Sequence, residues 1–158
     1  QKFDRVLVDV PCSGLGALRR RPEARWRKSP RDIADLLPLQ RQLLEAACEV
    51  TRPGGVIAYV TCSPHAAETQ NIVAEILETG KVRLLDTQSI LQRVALPSDE
   101  GRSALAGDKA PGYRPQVRLK KSSSVRQEDI LDEASTTAQL WPHIHGTDAM
   151  FLALFRKN

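Results

Sequence analysis

The chain has 158 residues, a formal net charge of +4 and three cysteines. That length suits one domain with a packed core, and the lack of a long apolar run or secretory leader pattern argues against a membrane or exported protein. An odd cysteine count without a Cys-x-x-Cys pair argues against a disulfide framework or a zinc site and fits a reducing cytoplasm.

Phe3 to Asp9 reads as a buried strand, β-branched and apolar at its centre. It leads directly into Val10-Pro11-Cys12-Ser13-Gly14. A basic stretch follows, with Arg19, Arg20, Arg21, Arg25, Arg27, Lys28 and Arg31 set against the single acid Glu23. Ser29-Pro30-Arg31-Asp32 has the chemistry of a helix start: a hydroxyl cap, Pro at the first position and an acid at the third. Ile33, Leu36, Leu37, Leu43, Leu44, Ala47 and Val50 then recur at helical spacing, and Pro38 is expected to kink or split that run. Arg52-Pro53-Gly54-Gly55 should stop the helix and turn the chain into a second strand, Val56 to Thr61.

Cys62 closes that strand, and Ser63-Pro64 resembles the cap and first turn of another helix. Its apolar face is Ile72, Val73, Ile76 and Leu77, and Gly80 ends it. Lys81 to Asp86 reads as a further strand. From 97 to 138 apolar periodicity fades, which predicts a long loop or disordered insertion with a short helix at Gln127 to Glu133. Order resumes at Gln139, and Ala149 to Phe155 is a closing strand. The succession predicts an α/β fold with a mostly parallel sheet. No Gly-rich loop joins a first strand to a first helix. The chain starts without Met, so we expect residues 1–158 to be a piece of a longer protein; if that protein is a cofactor-using enzyme, its cofactor half lies upstream of Gln1.

Cys12 and Cys62 each follow a strand, and the carboxyl ends of strands in one open α/β sheet face a shared crevice. Two thiols there suggest nucleophilic chemistry on a carbon centre, one of them in a supporting role. Cys62, beside a helix start and near basic residues, should have a lowered pKa. Cys48, inside a helical run beside Ala46 and Ala47, reads as a buried hydrophobe. The basic stretch is a candidate phosphate-contact surface, with a merely solvated loop as the alternative. Trp26 and Trp141 could stack on bases or pack inside. His65, His143 and His145 lack metal-ligand spacing, so no metal is expected.

Taken in order, these residues form a pattern. Asp9-Val10-Pro11-Cys12-Ser13-Gly14, Arg25-Trp26, Leu39-Gln40, Pro53-Gly54-Gly55, Thr61-Cys62-Ser63, Glu68 and His145-Gly146-Thr147-Asp148-Ala149-Met150-Phe151 closely resemble the RNA cytosine-5 methyltransferases of the Sun/Fmu/Nop2 type. The bacterial small-subunit rRNA branch is the nearest in pattern. The resemblance implies the C-terminal half of a Rossmann-like fold, with an antiparallel last strand, that uses S-adenosylmethionine on RNA, 16S rRNA in that branch. It also implies that Cys62 attacks the base, that Cys12 assists product release and that Asp9 sits where cofactor and base meet, with Pro11 beside it. Arg19, Arg20, Arg21, Arg25 and Lys28 would contact RNA. DNA-type enzymes use the Pro-Cys thiol as nucleophile, so the two cysteine roles could be reversed.

The chemistry explains the residue types. C5 of cytosine is too weak a nucleophile to take a methyl group from a sulfonium unaided. A thiolate adding to C6 makes C5 electron-rich, and loss of the C5 proton with expulsion of the thiolate restores the ring. A carboxylate such as Asp9 could hold N3 or the N4 amine and stabilise the charge that builds. Two other readings compete. One is a non-catalytic RNA-binding fragment that lacks the cofactor half. The other is an amino-group methyltransferase, which would need no thiol and would carry an aromatic after its Pro-Pro pair.

Overall fold

The computed structural model describes residues 1–27, 29–95 and 136–158. Lys28, the helix expected at Gln127 to Glu133 and nearly all of the expected loop therefore lie outside the described residues.

Strand β1 (Phe3–Asp9) runs parallel to β2 (Thr51–Thr61), with Val6 beside Ile57 and Val8 beside Tyr59. Strand β5 (Phe151–Lys157) lies antiparallel on the other side of β2, Thr61 opposite Phe151. Strands β3 (Val82–Leu84) and β4 (Ala138–Gln139) pair antiparallel with β5. The order is β1-β2-β5-β3, so β1, β2 and β3 share one direction and the last strand opposes them from inside the sheet.

Helix α2 (Pro30–Val50) begins as its sequence demands. Asp32 Oδ2 accepts from the Ser29 amide at 2.6 Å, and Pro30 occupies the first turn. Its buried residues Gln40, Leu44, Ala47 and Cys48 form one stripe against the sheet. Pro38 does not split it: the helix runs from Pro30 to Val50, with Ala34 and Pro38 both facing solvent, where the carbonyl left without an N–H partner is not sealed in the core. Helix α3 (Gln70–Glu78) buries Ile72, Val73 and Ile76 beside α2. The core is built from these side chains with Val8, Ile57, Tyr59, Phe151, Ala153 and Phe155.

Several expectations are corrected. β2 begins at Thr51 rather than Val56, because the chain re-enters the sheet at once and loops out Arg52–Gly55 as a bulge between the Phe3 and Arg5 pairings. The second helix starts at Gln70, not after Ser63-Pro64, and a 3-10 turn (Ala66–Glu68) fills the interval. Among helices that were not anticipated are α1 (Ala24–Arg27) and α4 (Thr87–Ala95). The signal for α4 was Asp86, whose carboxylate accepts from the Ser89 amide at 3.2 Å. A last short helix, α5 (Pro142–His145), precedes β5. β1 is far less buried than its composition implied: Leu7 is 70% exposed, since among the described residues its outer edge and second face carry no cover.

Candidate active site

Parallel pairing brings the ends of β1 and β2 to the same rim of the sheet. The ladder is carried one step past β1 by the Val10 amide, which donates to the Val60 carbonyl at 3.1 Å. Beyond it the two chains reach Cys12 and Cys62, whose sulfurs stand 3.1 Å apart, both half-buried. The structure thus brings together the two thiols that the sequence had placed 50 positions apart. Asp9 and Pro11 are exposed at the same rim. Cys48 is sealed in the core, and burial pushes its thiol pKa up.

The expected lowering of the Cys62 pKa is reversed. Burial first, then the adjacent Cys12 thiol, push it up to about 12, and the next helical turn along the chain starts only at Ala66.

Glu68 lies beneath the pair, fully buried. Its Oε1 accepts from the Ser13 amide at 2.7 Å and from Gln40 Nε2 at 3.1 Å. Its Oε2 accepts from the Ser13 hydroxyl and the Ser63 hydroxyl, each at 2.6 Å. Burial alone would raise its pKa, but the bonds from Ser13, Ser63 and Gln40 prevail and hold it below the usual carboxylate range. Gln40 Nε2 also donates to the Pro11 carbonyl at 2.9 Å, and the Tyr59 hydroxyl donates to the Glu68 carbonyl at 2.8 Å. Sequence reading had noted Gln40 and Glu68 without assigning them work. The available signal was a glutamine at the buried position of an otherwise apolar helix stripe.

Gly16 joins three segments. Its amide donates to the Cys62 carbonyl and its carbonyl accepts from the Ala149 amide, both at 2.9 Å. A Cβ there would stand 2.0 Å from the Ala149 oxygen and 2.7 Å from the Cys62 oxygen, so the approach needs glycine.

The basic residues divide. Arg20 Nε donates to Asp148 Oδ2 at 2.7 Å, and Arg19 lies 3.6 Å from Asp148 Oδ1. Arg20 is thus tied to Asp148 while most of its side chain stays exposed. Arg21 and Arg25 are exposed, and Trp26, 84% exposed, is not packed inside. His65 Nδ1 accepts from the Ala67 amide and His145 Nδ1 from the Trp141 amide. Among the described residues no group of three or more His, Cys, Asp or Glu side chains is placed to hold a metal, and no helix is long and apolar enough to cross a membrane.

The family model described as 16S rRNA methyltransferase RsmB/F matches residues 1–156. A Mycobacterium tuberculosis protein named as a methyltransferase is 48% identical over 155 residues, covering 98% of this chain and 26% of that protein. Ribosomal RNA small subunit methyltransferase B of Vibrio cholerae is 38% identical over 111 residues, 70% of this chain and 24% of its own. This chain spans about a quarter of the length of these relatives. A methyltransferase homolog protein from Pyrococcus horikoshii superposes with a TM-score of 0.64 at 26% identity, over 99% of this chain and 40% of that one. NSun6 from the same organism, solved with SFG, gives a TM-score of 0.62 at 23% identity over 99% and 30% of the two chains, a likeness of fold. With a family model matching nearly its whole length, the chain belongs to the 16S rRNA methyltransferase RsmB/F family.

Proposed function

We propose that this chain is the thiol-bearing, C-terminal portion of the catalytic domain of an S-adenosylmethionine-dependent RNA (cytosine-5) methyltransferase acting on small-subunit rRNA. The observation that carries this reading is the 3.1 Å separation of the Cys12 and Cys62 sulfurs at one rim of the sheet. Family membership supports methyl transfer to rRNA. The exposed Arg21, Arg25 and Trp26 beyond the Cys12 loop suit a phosphate backbone with unstacked bases.

In this reading Cys62 gives up its proton, and its sulfur forms a bond to C6 of the cytosine. The 5,6 double bond becomes electron density at C5, and C5 then bonds to the methyl carbon as the methyl–sulfonium bond breaks, its electron pair staying on the departing sulfur as a neutral thioether. Removal of the C5 proton and cleavage of the C6–S bond regenerate the aromatic ring and the thiolate. Cys12, within hydrogen-bond reach of Cys62, takes part in that release. S-adenosylmethionine supplies the electrophilic methyl group when bound. Asp9 and Pro11 fit one rim of such a site: both face solvent at the strand end, where the carboxylate can accept from an amine of cofactor or base.

The test uses the full-length protein and RNA carrying 5-fluorocytosine, whose C5 substituent cannot leave as a proton does. Cys62→Ala should form no adduct and no product, whereas Cys12→Ala should accumulate adduct on ordinary RNA. The opposite pattern would reverse the two roles. Methylation by the double alanine variant would reject covalent catalysis altogether.

A further inference from the structure

Glu68 is the buried charge that the reaction scheme leaves unused. It has no basic partner among its hydrogen bonds; all four come from neutral donors. A fully ionised carboxylate is the side chain that accepts at both oxygens without presenting a hydrogen of its own. The donors are placed with respect to the thiols. Ser13 directly follows Cys12 and Ser63 directly follows Cys62. Their hydroxyls are 3.3 Å apart and meet on the same Glu68 oxygen. Gln40, bonded to the other oxygen, grips the carbonyl of Pro11 on the far side of Cys12. The backbone ladder between β1 and β2 ends at Val10; past that point this network and the Gly16 amide on the Cys62 carbonyl join the two segments.

We propose that Glu68 is a positioning residue: by binding the serine that follows each cysteine, its carboxylate fixes the Cys12 and Cys62 sulfurs relative to one another. The proposal rests on the two-thiol reading for its functional consequence, but the geometric part has its own measurement. Glu68→Gln puts an N–H where an acceptor is required, and Ser63→Ala removes a single donor.

Two measurements are made on the full-length protein. The first is steady-state methylation. The second is the equilibrium between the Cys12–Cys62 dithiol and its disulfide in glutathione buffer, in which glutathione disulfide is reduced as the pair is oxidised. Displacing a reacting group by about 1 Å costs on the order of 10²-fold in rate. Glu68→Gln should therefore lower kcat by about that factor with KM for RNA little changed, and shift the equilibrium from the disulfide toward the dithiol. Ser63→Ala should give smaller losses in both, and combining it with Glu68→Gln should add less than its separate effect.

A Glu68→Gln protein with wild-type kcat, or one that loses activity at an unchanged disulfide equilibrium, overturns the proposal. If Glu68→Gln fails to fold, Ser13→Ala and Ser63→Ala decide the matter by the same two readouts. A wild-type protein without methylation would count against the two-thiol chemistry alone, since the disulfide equilibrium still reports on the clasp.

Discussion

Arg20 and Asp148 are joined across 128 positions, the guanidinium Nε 2.7 Å from Asp148 Oδ2. The contact ties the basic segment after the Cys12 loop to the turn that opens β5. That hydrogen bond, aided by the charges of Arg20 and Arg19, holds the Asp148 carboxyl below its usual range in spite of burial. Asp148→Asn should release the segment without removing any positive charge. Limited trypsin digestion is expected to cut after Arg19 and Arg20 faster in the variant, the Arg21–Pro22 bond being resistant, and equal cleavage rates would show that the pair does not anchor the loop.

Gly16→Ala is expected to be costly out of proportion to one methyl group. The added carbon would meet two backbone oxygens, neither free to rotate away. Overpacking of this kind destabilises by about 1–3 kcal/mol. Because one of those oxygens belongs to Cys62, thiol placement should suffer as well. Denaturant unfolding measures the first effect and adduct formation on 5-fluorocytosine RNA the second.

Stability should fall at both ends of the pH scale for separate reasons. Glu68, Asp148 and Glu75, which accepts hydrogen bonds from the Arg41 guanidinium, have lowered values in the fold, so their stabilisation is present above the unfolded carboxylate pKa and is lost as pH falls through the lower folded values. Cys62 is raised from 9.0 to about 12, so its contribution is complete below 9.0 and disappears as pH climbs towards 12. Tyr59 shifts upward too, through burial and then Glu68, and adds to the alkaline loss. Melting temperature against pH should show a flatter alkaline limb in Cys62→Ala than in the wild type.

Trp26 and its neighbours should govern RNA affinity in different ways. Stacking of one base on an aromatic ring is worth about 1–3 kcal/mol, so Trp26→Ala should weaken binding to unpaired RNA with little change in salt dependence. Arg25→Ala should instead reduce the slope of log affinity against log salt by about one phosphate contact. Fluorescence anisotropy across a salt series distinguishes the two. Binding unchanged in both variants would remove this face from the RNA interface.

What the chain states locally, it states clearly. The strand Phe3–Asp9, the capped start at Ser29-Pro30 and the apolar face of α3 follow from neighbours a few residues apart, whose spacing and hydrogen-bonding chemistry can be read directly. The order Cys12 after one strand and Cys62 after another was likewise enough to set both thiols on one rim. The insertion of β5 between β2 and β3 was not legible, since apolar alternation marks a strand without choosing its neighbours. Nor was the direction of the Cys62 shift, because desolvation and the Cys12 sulfur depend on atoms 50 positions away. Glu68 shows the division most plainly: sequence supplies a glutamate, and only the folded chain surrounds it with Ser13, Gln40 and Ser63, the donors that let a carboxylate remain charged inside a core.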